Sequence, residues 1–225
     1  MMSRLLGLTL SGAILLLHPA GSDARPTKAP ARTNSQTCSL SVADQIRNRQ
    51  LDWPAFDLAG EIPKTAMWFS AKRCYREAVL VGADYLARAP HLGVREKAAV
   101  MFHMARNLAR AGDKSGAALL AAASRRSDQE PNARLDWNTY VQGFYGYLSG
   151  DRALLVEAQK KLVGAGGEGN LMNARVLERA KRCFGQPFLI VETAARCAPA
   201  EKKERVAPEG EGVDLTSLHV PGQRP

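Results

Sequence analysis

The pattern in this sequence best suited to chemistry is a run of rings. Trp137, Tyr140, Phe144 and Tyr147 follow one another at spacings of 3, 4 and 3. On an α-helix that spacing puts all four on one stripe. Phe102, Arg106 and Arg110 lie on the helical segment before it. Aromatic rings beside guanidinium groups suit a peptide or a carboxylate-bearing ligand, with rings as anchors and the guanidinium fork holding the carboxylate. The same spacing also suits a buried stripe packed against a neighbouring helix. The sequence leaves the choice between groove and core open.

Other residue types yield less. Cys38, Cys74, Cys183 and Cys197 are an even set, which in an oxidising compartment reads as two disulfides. Three pairings are possible, and proximity in sequence favours Cys38–Cys74 and Cys183–Cys197. There is no Cys-x-x-Cys, so neither a zinc site nor a thioredoxin-like redox centre is expected. Of the four histidines, His18 and His219 lie near the termini, His91 follows Pro90 in a loop, and His103 stands alone in a helical segment. No Ser/His/Asp arrangement and no Gly-x-Ser-x-Gly can be assembled. The run Gly164–Gly169 lacks the Gly-Lys-Ser/Thr of a phosphate loop and reads as a flexible connection. Glu77 and Asp84 sit seven apart on one helix face, about 10 Å along the axis. That is at the wide edge for a pair of glycoside-cleaving carboxyls, and a solvated face is the expectation. The basic pairs Arg125-Arg126, Lys160-Lys161 and Lys181-Arg182 close helical segments, where cations complement the helix dipole. No catalytic residue, cofactor or metal is therefore expected, and the chain reads as a non-enzyme.

The first 24 residues read as a secretory signal. Arg4 is followed by an apolar stretch through Leu17, then by Ala20, Gly21, Ser22 and Ala24, with cleavage expected after Ala24. Export points to the periplasm or the exterior, with no transmembrane span left after cleavage. Residues 25–37 read as a disordered linker and 198–225 as a disordered tail. The 31 Lys+Arg against 22 Asp+Glu give a net charge of +9, of which +7 falls on residues 38–197. Export removes nucleic acid as the expected partner. It leaves anionic lipid or glycan surfaces, or an acidic protein, as matches for that charge.

Between linker and tail the composition is that of helices, rich in Ala, Leu, Arg and Lys. Residues 38–197 read as one all-α domain of seven to nine helices. The expected segments run from Ser39 or Ser41 to about Gln50, Pro63 to Lys72, Tyr75 to Ala89, then 94–111, 114–126, 134–149, 152–163 and 170–184. A short one opens at Pro187. Short connections imply antiparallel hairpins. Turns near Cys74, Asp113, Asp151 and Gln186 recur at spacings of 39, 38 and 35, a period typical of helical-hairpin solenoids. Ala111-Gly112-Asp113 and Ser149-Gly150-Asp151 share one logic, a glycine helix end followed by an aspartate cap.

Residues 62–163 resemble degenerate tetratricopeptide repeats. The likeness rests on Ala66, Phe69, Ala78 and Pro90 in the first unit, Ala105, Ala117 and Ser124 in the second, and Gly143 in the third. Leu155 and Leu162 depart from the small residues the family has there, and residues 170–197 hardly match. The resemblance implies stacked antiparallel hairpins of the exported bacterial type, with Trp137, Tyr140, Phe144, Tyr147, Phe102, Arg106 and Arg110 facing a concave groove. The expected function is a non-enzymatic binding or scaffold module that captures a protein segment there. A glycan-active envelope enzyme or enzyme subunit on a helical superhelix is the alternative. A structural protein assembling through its own helices is a third.

Overall fold

A computed structural model describes residues 38–89, 91–130 and 134–199. The signal, the linker, Pro90 and all but the first two residues of the tail lie outside them. Nine α-helices occur among the described residues: α1 (Val42–Asn48), α2 (Ala66–Ala71), α3 (Tyr75–Arg88), α4 (Val94–Arg110), α5 (Lys114–Ala123), α6 (Trp137–Ser149), α7 (Arg152–Ala165), α8 (Glu168–Arg182) and α9 (Phe188–Thr193). A π-helical turn spans Pro54–Leu58, a 3₁₀ turn spans Ala195–Cys197, and no strand occurs among them. From α2 to α8 each helix packs chiefly on its chain neighbours, as stacked hairpins do. The fold is all-α.

Local chemistry sets most helix ends. Ser41 and Asp44 form a reciprocal capping box on α1. Asp113, Asp136 and Asp151 cap α5, α6 and α7 by accepting the N–H of the residue three on. Gly112 and Gly150 precede two of these caps with φ of +89° and +82°, a region where a Cβ is unwelcome. Both glycine–aspartate turns are thus where the sequence puts them. Several boundaries differ, and α5 stops at Ala123 rather than at residue 126. Lys64 has φ +65°, so α2 cannot begin at Pro63 and starts instead behind a Thr65 cap. Asp136 rather than residue 134 opens α6. Most of the glycine run is helical: α7 continues to Ala165, only Gly166 and Gly167 turn the chain, and α8 begins at Glu168.

Two apolar clusters form the interior. The first gathers Phe56, Phe69, Val81, Tyr85 and Leu92 with Val100 and Met104 of α4. The second gathers Tyr140, Phe144, Tyr147, Leu155, Leu162, Leu177 and Phe188 with Phe102, Ala105 and Ala109 of α4. Helix α4 therefore walls both. In the second cluster a Cβ on Gly143 would run into Leu177 and lie 2.9 Å from the Ala158 Cβ. Its missing side chain is what lets α6 approach α7 and α8 so closely.

Each cluster has its own disulfide: Cys38–Cys74 ties the chain ahead of α1 to the start of α3, and Cys183–Cys197 closes the segment carrying α9. These are the two pairings favoured from the sequence, and no described cysteine is free. Two disulfides fit an oxidising, extracytoplasmic compartment. No helix among the described residues is long and apolar enough to cross a membrane.

Candidate functional site

Helix α4 carries one polar stripe between its two buried faces. His103, Arg106, Asn107 and Arg110 follow at steps of 3, 1 and 3, so their side chains leave the helix on one side. That side opens on a cleft of about 480 Å³ whose walls are α4, α2, the π-helical turn and α9. Each wall contributes a group.

From the π-helical turn comes Asp57. Pro54 opens the turn, and Asp52 accepts the Ala55 N–H at 2.9 Å. Phe56 stacks on Tyr85 with ring centroids 3.8 Å apart, which anchors the turn and sets Asp57 against α4. Asp57 is only 2% exposed, so its carboxylate needs donors. It has two, both on Oδ2: the Trp53 indole N–H at 3.1 Å and His103 Nδ1 at 2.7 Å. The carboxylate assigns the ring proton to Nδ1. His103 is about one third exposed.

From α2 comes Ser70, which donates to Asn107 Oδ1 at 2.8 Å and accepts from Arg110 Nη1 at 2.8 Å. Met67 adds an apolar, 41% exposed rim.

From α9 comes Glu192. Arg110 grips it with Nε to Oε2 at 2.7 Å and Nη2 to Oε1 at 2.8 Å, while Arg106 adds Nη2 to Oε1 at 2.7 Å. Burial pushes the Glu192 carboxyl up, but Arg110, then Arg106, outweigh it and hold it below the ordinary range. One carboxylate thus faces two guanidinium groups. Arg106 Nε is left buried with no hydrogen-bond partner among the described residues.

The backbone behind Glu192 is fixed. Phe188 and Val191 are buried in the second cluster. Arg179 of α8 donates to the carbonyls of Val191, Glu192 and Ala194 at 3.0, 2.8 and 3.2 Å. Tyr147 donates to the Gln186 carbonyl at 2.5 Å.

The aromatic stripe needs a correction. Tyr140, Phe144, Tyr147 and Phe102 are 4%, 0%, 2% and 1% exposed, and Trp137 is partly buried with its indole N–H on the Ser124 carbonyl. The rings form a ladder: Phe102 meets Trp137 and Phe144 edge-on and Tyr140 at a tilt, and Phe144 stacks on Tyr147 and meets Phe188 edge-on. The cause is cover supplied by α4, α8 and α9. As groove anchors these five rings are lost. Burial pushes the Tyr147 phenol up to about 12, with the charge of Glu192 adding to it.

Arg106 and Arg110, by contrast, do face a concave surface. Asp57, Ser70, His103, Asn107 and Glu192 were not expected there. The steps His103-x-x-Arg106-Asn107-x-x-Arg110 were the available signal. Asp57 and Glu192 come from 46 and 86 residues away and had no local one. The Glu77/Asp84 pair does not act as a unit: Asp84 joins α1 to α3 through a two-bond pair with Arg49, both bonds 2.8 Å, and Arg88 adds to it. The hydrogen bond from Arg49 leads in holding the Asp84 carboxyl low, against a smaller effect of burial. Among the described residues, the one group of side chains spaced like metal ligands is Cys38, Cys74 and Glu77, and its two sulfurs are spent in a disulfide.

In comparisons with protein-family models, with curated proteins and with solved structures, none matches this chain.

Proposed function

We propose that this protein is an exported, non-enzymatic binding module of the bacterial envelope, built of tetratricopeptide-like hairpins, that captures a segment of a protein partner. The binding surface is the cleft between α2, α4 and α9, not the aromatic stripe. The observation that carries this reading is the pair Arg106 and Arg110, set side by side on a fixed helix wall and facing an open cleft with one carboxylate between them. An anion-seeking wall with an apolar rim at Met67 and Leu189 suits a peptide with acidic side chains. The signal-like N-terminus and the two disulfides support a periplasmic or secreted setting.

The alternative, a glycan-active enzyme or enzyme subunit, draws support from the Asp57–His103 pair in the same cleft. Such an enzyme needs a carboxyl that is protonated at neutral pH and can donate to a leaving group. Glu192 is held in the opposite, ionised form, which favours binding over bond cleavage.

A photo-crosslinking amino acid at position 67, compared with one at Leu119, tests the reading. Leu119 is 74% exposed and lies outside the cleft. In the envelope, position 67 is expected to give a discrete crosslinked partner that position 119 does not. Equal yields at the two positions would refute a cleft-centred interface.

A further inference from the structure

We infer that Glu192 is a resident stand-in for the ligand: the cleft takes a segment presenting two acidic side chains, which displace the Glu192 side chain from Arg106 and Arg110. This rests on the cleft being the binding surface and names the chemistry of what binds there.

Donor counting leads to it. A guanidinium offers a lateral fork, Nε with Nη2, which matches the two oxygens of one carboxylate. Arg106 and Arg110 therefore hold two forks and four donors. Glu192 fills three of them: both of Arg110 and Nη2 of Arg106. The fourth, Arg106 Nε, is the one buried side-chain nitrogen or oxygen with no partner among the described residues. An unpartnered buried donor is rare in native proteins and costs stability. The two guanidinium groups are thus short by one carboxylate oxygen, since the other carboxylate of the cleft, Asp57, is taken up by Trp53 and His103. Two carboxylates would fill both forks and match both charges; one cannot.

The geometry also says what moves. Helix α9 is held by Phe188 and Val191 in the core, by Arg179 on three carbonyls and by the Cys183–Cys197 bridge. Its backbone stays in place. The Glu192 side chain is partly exposed and can rotate toward solvent without disturbing it. The exchange then swaps one internal carboxylate for two external ones, on a wall that needs no rearrangement. Asn107 and Ser70 keep the Arg110 plane fixed from its other end, through Nη1.

Two variants separate the possibilities. The probe is acetyl-Glu-Glu-Glu-Glu-amide, which has no terminal carboxylate, with the glutamine tetrapeptide as control, measured by calorimetry at low salt. E192Q removes the competing charge and is expected to bind the acidic peptide at least tenfold more tightly than the wild type. The peptide should also raise the melting temperature of E192Q more than that of the wild type. R106K keeps the charge but loses the fork. It is expected to lose most of the affinity gained in E192Q when the two changes are combined. Circular dichroism reports whether each variant is folded, and E192D replaces E192Q if it is not, since its shorter carboxylate reaches the arginines less well.

Equal affinity in wild type and E192Q would overturn the displacement. No binding of the acidic peptide by folded E192Q, or full affinity retained with R106K, would overturn the two-carboxylate fork. Each of these leaves the cleft reading standing if position 67 still crosslinks its partner. Loss of that position-specific crosslink, with peptide binding intact, would sink the cleft reading instead.

Discussion

The two apolar clusters solve the problem of burial differently. The C-terminal one is an aromatic ladder, in which Phe102, Tyr140, Phe144, Tyr147 and Phe188 meet in edge, tilted and stacked contacts between long, regular helices. The N-terminal one packs α3 and α4 against short pieces, a π-helical turn and α2, and polar groups are buried beside it. Asn48 donates to the Lys64 carbonyl at 2.8 Å, Tyr85 to the Leu51 carbonyl at 2.8 Å, and Asp57 takes Trp53 and His103. A regular hairpin satisfies its own backbone. Irregular connections do not, and each buried polar group must find a distant partner. The cleft sits where the two styles meet. The irregular half supplies Asp57 and Ser70 to it, the regular half sends Glu192, and α4 offers both halves its polar stripe.

Four measurements would break or sharpen that contrast. Phe144→Ala removes a ring with no exposed surface from the middle of the ladder. It should cost about 3–5 kcal/mol in denaturant unfolding, and a loss below about 1 kcal/mol would mean the ladder is not the support it looks to be. Next come the disulfides, whose closed loops differ in length. By the chain-entropy relation, removing Cys38–Cys74 with two serines should cost about 4 kcal/mol and removing Cys183–Cys197 about 3 kcal/mol. The irregular half should suffer more, and the reverse order would contradict the comparison. Gly143→Ala forces a methyl against Leu177 and Ala158. Overpacking of this kind costs about 1–3 kcal/mol, seen as a lower midpoint with an unchanged denaturant slope.

The smallest effect is at the seam and depends on pH. The native Glu192 carboxyl titrates below its ordinary value of 4.5. The unfolded chain therefore binds the proton first as acid is added, and the native ion pair loses its advantage as the pH falls through the depressed native value. Wild type should exceed E192Q in stability by about 1–2 kcal/mol at pH 7, allowing for partial exposure. That difference should be unchanged down to about pH 5 and should shrink below 4. A difference that grew in acid would mean that the carboxyl is not held by the arginines.

What the sequence disclosed follows from how local each determinant is. Helix ends at Gly112-Asp113 and Gly150-Asp151 were legible because a cap is made by residues three apart. The disulfides were legible because their partners are near neighbours in the chain. Pro63 misled because Lys64, in the left-handed region, stops a helix that proline alone would permit. The ring stripe gave its period but not its side, since periodicity says that one face differs and not what covers it. Its cover on α8 and α9 lies tens of residues downstream. Arg106 and Arg110 were legible as a pair, but Glu192 belongs to a short helix whose place depends on the packing of Phe188 and on Arg179.

Helix α4 carries a further consequence. Val100 and Met104 belong to one cluster, Phe102 and Ala105 to the other, so neither half can melt without exposing a wall of its neighbour. The protein should unfold in one cooperative step, with fluorescence and circular dichroism tracing the same curve. Anything that binds the stripe between those walls stabilises both halves at once, and its affinity can be read from the shift of that single transition.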